Sequence, residues 1–142
     1  MEDRILLFAL LLPQELAARI AIPALRALVA RNLVIEHGFS QRQAARKLGI
    51  TQATVSNYIR EKRGIQFAIE ETEEIKKAVQ GVANNLANGV EQINAMTILT
   101  NLTQKVLATR QLCEYHAKLD PTFDASSCPI CDDVTEEIAR RQ

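Results

Sequence analysis

The chain has 142 residues, 47% of them hydrophobic, with 17 basic residues against 17 acidic ones and three cysteines. That length accommodates one ordinary domain, or a small domain with an appendage, around a real core. No window approaches twenty apolar residues, so a membrane-spanning helix is excluded, and an odd cysteine count in a chain read as cytoplasmic disfavours a structural disulfide.

Ile5 to Leu12 form an apolar octet preceded by Glu2 and Asp3, where a secretory signal wants positive charge. The octet is expected to be a core or dimer-facing helix that Pro13 separates from the next. A second helix is predicted from Pro13 or Gln14 to Glu36, burying Leu16, Ile20, Leu25, Leu28, Val29, Leu33 and Ile35. Pro23 inside it predicts a kink or a break. The half from Ala24 to Glu36 should pack beneath the next two helices, with His37-Gly38 as connector and His37 an ordinary polar residue at a helix end.

Phe39 to Tyr58 reads F-S-Q-R-Q-A-A-R-K-L-G-I-T-Q-A-T-V-S-N-Y. Ser40 and Gln43 make a capping box that starts a short helix near Gln41, and Gly49 after Leu48 ends it in a left-handed conformation. Ile50 returns to the core, and Thr51 caps a second helix running from Gln52 to about Arg60 or Glu61. Small Ala45, turn-forming Gly49 and core-plugging Val55 are the residues that two steeply crossing helices need. Val55 and Ile59 face inward, leaving Gln52, Ala53, Ser56 and Asn57 outward. Amides can hold adenine N6 and N7, a hydroxyl can donate or accept, and a methyl can touch thymine. The pattern predicts a DNA-binding helix-turn-helix whose contact residues are Gln41, Arg42, Gln43, Thr51, Gln52, Ala53, Thr54, Ser56, Asn57, Arg60, Lys62 and Arg63. A helical hairpin that mediates only protein contacts is the competing reading.

Net charge is zero, but the charges are segregated. From Ser40 to Arg63 six basic residues (Arg42, Arg46, Lys47, Arg60, Lys62, Arg63) face Glu61 alone, whereas from Gly64 onward seven basic residues meet twelve acidic ones. A basic footprint on the helix-turn-helix is what phosphate neutralisation requires. The segment resembles the Cro/repressor-type (xenobiotic-response-element-type) helix-turn-helix family, in which a Gln opens each of the two helices. Gln41 and Gln52 match those positions. The resemblance implies a phosphate-side role for Gln41 and base readout by Gln52, Ala53 and Asn57.

Past Gly64 the composition turns acidic, and Glu70, Glu71, Glu73 and Glu74 complement the positive end of a new helix. Ile75, Val79, Val82, Leu86, Ile93, Met96, Leu99, Leu102 and Val106 recur at steps of mostly three and four, predicting helices over Thr72–Asn88 and Val90–Leu119. So long a stripe predicts self-association, and two reading helices one turn apart would suit a palindromic operator. The alternative is a hairpin folded back onto residues 1–36.

All three cysteines lie within nineteen residues. Cys113-x-x-His116 and Cys128-Pro-Ile-Cys131 are two ligand pairs, which a loop from Lys118 to Ser127 lets close on one tetrahedron. Three thiolates and an imidazole predict a closed, structural zinc site; an iron–sulfur cluster with a sensory role, and free or redox-active thiols, remain open.

With the run L-V-A-R-N-L-V-I-E-H-G-F-S-Q, the ending Y-I-R-E-K-R-G, and L-C-x-x-H followed by C-x-I-C, the chain resembles small archaeal predicted transcriptional regulators over most of its length. Related helix-turn-helix regions occur fused to a thiamine-phosphate synthase-like domain, which is absent here, so no thiamine role follows. No glycine-rich phosphate loop, nucleophile elbow or H-E-x-x-H occurs. The expected protein is therefore all-α and not an enzyme: a DNA-binding domain over 1–66, a helical dimerisation region over 67–119 and a metal-binding tail over 113–142. Its expected partners are double-stranded DNA and a second copy. An adaptor docking on the transcription machinery, and a Cys-x-x-Cys thiol oxidoreductase, are the other readings.

Overall fold

Pro23 has no N–H to donate, and its ring would meet the carbonyl of Arg19 four residues earlier in a regular helix. The computed structural model, which describes residues 10–60, 69, 71–89, 92–122, 124–132 and 140, meets this constraint by widening one turn. Helix α1 (Pro13–Leu16) runs into a π-helical turn (Ala17–Ala21) and then α2 (Ile22–Ile35). The Ile22 N–H reaches back to the Ala17 carbonyl, five residues away. The expected kink or break at Pro23 is thus a π turn just before it, and the helix continues. At its start the Glu15 carboxylate accepts from the Leu12 N–H at 2.8 Å, and Pro13 occupies the first turn where no N–H is needed.

Helix α2 is the centre of the fold. Leu25, Ala27, Val29, Ala30 and Leu33 are each at most 1% exposed. On one side it packs against α3 (Gln41–Leu48) and α4 (Gln52–Arg60), and on the other against α5 (Glu73–Ala87), which pairs with α6 (Gln92–Ala108). Ile35, expected in the core, is 62% exposed because it turns away from the stripe that Leu33 ends. No strand occurs among the described residues. Residues Ile5 to Ala9 of the apolar octet lie outside them, and Leu10 and Leu12 are exposed.

The hairpin of α5 and α6 follows the sequence stripe only in part. Thr72 caps α5 by accepting from the Ile75 N–H at 3.2 Å, with Glu73 and Glu74 in the first turn. Ile75, Val79, Val82, Leu86, Leu102 and Val106 are buried within this chain, whereas Ile93 (69%) and Met96 (59%) are exposed. Glu74 pairs with Lys105 across the two helices. The predicted helix to Leu119 stops instead at Ala108; its predicted start at Val90 lies outside the described residues. The Thr109 hydroxyl donates to the Val106 carbonyl at 2.7 Å, Arg110 takes φ of 62°, and α7 (Cys113–Leu119) begins afresh. Neither glycine nor proline marks this break.

Two glycine substitutions should therefore act in opposite directions. Gly49 has φ of 66° at the end of α3, so Gly49→Ala should cost about 1–2 kcal/mol from left-handed strain alone. Gly81 lies inside α5, where an added Cβ meets nothing within 4 Å, so Gly81→Ala should stabilise by roughly 0.5–1 kcal/mol. Urea unfolding of both variants checks the signs.

Candidate nucleic-acid interface and C-terminal pocket

The capping residues expected from sequence set the geometry of α3 and α4. Ser40 Oγ accepts from the Gln43 N–H at 3.1 Å, while Gln43 Oε1 accepts from the Ser40 N–H at 2.9 Å. This capping box leaves the Gln41 and Arg42 N–H groups, which a helix cannot bond internally, at the start of α3. Gly49 turns the chain, and Thr51 Oγ1 accepts from the Thr54 N–H at 3.1 Å to start α4. Thr51 and Thr54 hydroxyls also bond each other at 2.7 Å, so both serve the cap first.

Packing fixes which face of α4 is outward. Val55 is fully buried with Ala44 and Ala45 of α3, and Ile59, Tyr58 and Ile50 pack against the same core. Gln52, Ala53, Asn57 and Arg60 are exposed, and Ser56 is half-buried. Asn57 Oδ1 accepts a long 3.4 Å bond from Arg60 Nη2, leaving the Asn57 amide N–H₂ for another acceptor. Arg42, Gln43, Arg46 and Lys47 are exposed on α3, and Gln41 is half-buried. Lys62 and Arg63 lie outside the described residues. His37 and Phe39, in the connector before α3, meet edge to face with ring centroids 6.4 Å apart.

The C-terminal residues converge elsewhere. Cys113, His116, Cys128 and Cys131 together line one small cavity of about 10 Å³, whose other walls are Pro13, Leu16, Leu107, Arg110 and Leu112. His116 is buried and the cysteines are half-buried, none in a disulfide. Burial, then the neighbouring Cys113 and Cys128, pushes the Cys131 thiol up. As placed, no three His, Cys, Asp or Glu side chains among the described residues form a group able to hold an ion. The four donors share a wall without closing on a point.

Arg110, which the sequence does not mark, organises this pocket. Its Nη2 donates to the carbonyls of Ala125 at 2.7 Å and Cys128 at 2.9 Å, and its Nη1 lies 3.4 Å from an Asp132 carboxylate oxygen. A bond to the Cys113 side chain, then the Asp132 charge, raises its pKa above the ordinary arginine value. One guanidinium thereby ties the segment of the second ligand pair to the helix of the first. Asp120 and Asp124 shape the intervening loop: Asp120 accepts from the Thr122 N–H and hydroxyl at 3.0 and 2.6 Å, and Asp124 from those of Ser126 at the same distances. The hydroxyl bond and then the backbone bond from Ser126 hold the Asp124 carboxyl below its usual range.

A helix-turn-helix family model matches residues 31–69, which span the last turn of α2, all of α3, the turn and α4. The described residues are thus helical throughout their regular structure, and residues 31–69 form a helix-turn-helix domain. Comparison with curated proteins and with solved structures returned no match.

Replacing Arg110 by Asn, which tolerates positive φ, removes the guanidinium bonds with little backbone strain. Hydrogen exchange of residues 124–132 should accelerate in this variant, while residues 41–60 keep their protection. Unchanged exchange at 124–132 would show that the apolar wall alone holds the segment.

Proposed function

We propose that the chain is a sequence-specific DNA-binding transcriptional regulator that reads base edges with Gln52, Ala53, Ser56 and Asn57 of α4. The observation that carries this reading is a polar, exposed face opposite fully buried Val55, in a helix-turn-helix with four exposed basic residues at Arg42, Arg46, Lys47 and Arg60. Gln41, Gln43, Thr51 and Thr54 sit where they can fix the register on phosphates, joined by Lys62 and Arg63 from the sequence. Matching of residues 31–69 to the helix-turn-helix family supports a DNA-binding regulator.

The working unit in this reading is a homodimer in the cytoplasm, with paired reading helices on a palindromic operator. Exposed Ile93 and Met96, three residues apart on α6, support a contact between copies. Cys113, His116, Cys128 and Cys131 are proposed to hold zinc. When bound, a closed Cys₃His tetrahedron would supply folding free energy and no open coordination position. Pro13 and Leu16 wall the same cavity, so the ion would fasten the tail to α1. No described helix is long and apolar enough to cross a membrane.

Selection of duplexes from a random pool tests the reading. The selected duplex should bind with an affinity that falls steeply as salt rises. Gln52→Ala should lower discrimination at one or two base pairs by about 1–3 kcal/mol, whereas Arg42→Ala should weaken all duplexes alike. Salt-insensitive binding, or none, would redirect the helix-turn-helix to protein contacts with the transcription machinery. Elemental analysis of anaerobically purified protein should find one zinc per chain in a colourless sample; brown protein with iron and sulfide would replace zinc by a cluster. Light scattering should give a dimer that Met96→Asp dissociates, and a strict monomer at high concentration would remove the dimer from the account.

A further inference from the structure

Helix α6 departs from the rest of the chain in its charge. In a sequence that is 24% charged, Lys105 is the one charged residue of the helix's seventeen, and it turns to Glu74 of α5. Every exposed residue from Gln92 to Asn101 is uncharged. Thr97, Thr100 and Thr103 donate their hydroxyl protons to the Ile93, Met96 and Leu99 carbonyls, each at 2.8 Å. A hydroxyl bonded back into its own helix leaves a methyl group and an acceptor at the surface. A charge-poor surface of this kind has the composition of an interface core, not of a solvated face.

The outward stripe of α6 has two different halves that meet at Thr100, the middle residue of Gln92–Ala108. Toward the N-terminus Ile93 and Met96 stand out as knobs. Toward the C-terminus Thr103 and Gln104 are half-buried and Leu107 is buried, because the π turn packs beside this end. There the stripe is one wall of a groove of about 370 Å³, faced by Ala17, Ile22 and Leu25. Arg26, its one charged lining residue, is exposed. Met96 and Thr100 line both this groove and the shallow hollow around Ile93, so knobs and groove form one continuous surface. Such a surface is self-complementary: a second copy turned by half a rotation offers groove to knobs and knobs to groove.

We infer that α6 crosses α6 of a second copy antiparallel, on a two-fold axis at Thr100. The axis sets Ile93 opposite the partner's Leu107, Met96 opposite the partner's Gln104 and Thr97 opposite the partner's Thr103. Each groove is then filled by the knobs of the other copy. A neutral face meeting its own copy brings no like charges together, and a small residue at the axis lets the two backbones approach. The inference rests on the homodimer proposed above and names its surface and direction. Because α6 packs on α5 and α5 on α2, the crossing also sets the spacing of the two copies of α4.

Cysteine cross-linking of the full chain tests position and direction together. Packed helices hold facing residues within disulfide reach. Under glutathione disulfide, Thr100→Cys should give a covalent dimer whose tryptic digest contains a link between the two copies of position 100. Ile93→Cys should give no self-link, since its two copies lie roughly 20 Å apart on antiparallel helices. Self-links at both positions would mean parallel helices and overturn the proposal. Thr100→Arg, at an exposed position, should keep the helical content of the parent chain and raise the dimer dissociation constant by about tenfold or more in sedimentation equilibrium. A dimer with no Thr100→Cys self-link and a constant that Thr100→Arg leaves unmoved overturns the pairing of α6, while the homodimer itself stands. A strict monomer removes both, whatever else covers the groove.

Discussion

Burial of α2 on opposite sides is the constraint on which the rest of the molecule depends. Val29, Ala30 and Leu33 have no measurable exposure, because the reading pair covers one side of this helix and α5 the other. The helix-turn-helix pair has no other large apolar surface to rest on: α3 contributes only Ala44 and Ala45 to the buried core, and α4 only Val55. Two such short helices are marginal alone in water. They become a fixed helix-turn-helix because α2 supplies the hydrophobic area they lack, and the same contact leaves their polar faces outward.

The parts of the fold that were legible in the sequence are those whose chemistry is local. Ser40 with Gln43, Gly49 and Thr51 each satisfy backbone groups within four residues, so composition and spacing determine the boundaries of α3 and α4. Pro23 was legible as a perturbation and not as its outcome. Whether a missing N–H yields a kink, a break or a widened turn depends on what the flanking side chains pack against, and here buried Ala17, Ile20 and Ala21 hold the turn continuous. Ile35 shows the same limit at the other end of α2. An apolar residue in the last turn fits the periodic pattern, but only packing decides whether the stripe reaches that far.

The C-terminal region was legible in its residue types and opaque in its scaffold. Ligand spacing brought Cys113, His116, Cys128 and Cys131 together on paper, and all four line one cavity. Sequence pattern could not reveal that α6 stops at Ala108, since the stop comes from a positive φ at an arginine whose side chain is satisfied fifteen and eighteen residues away. The stripe over α5 and α6 likewise mixed two populations. Most of it is consumed against α2 and within the hairpin, and only Ile93 and Met96 remain outward. Periodicity reports that a face is apolar; it does not report what covers it.

The proposed function puts a DNA duplex against the face of α4 opposite Val55. Amide chemical-shift mapping on addition of the selected duplex tests it most directly. Shifts should concentrate in residues 41–60, largest near Gln52 to Asn57, with α5 and α6 moving little. Shifts confined to α5 and α6, with residues 41–60 unmoved, would contradict it.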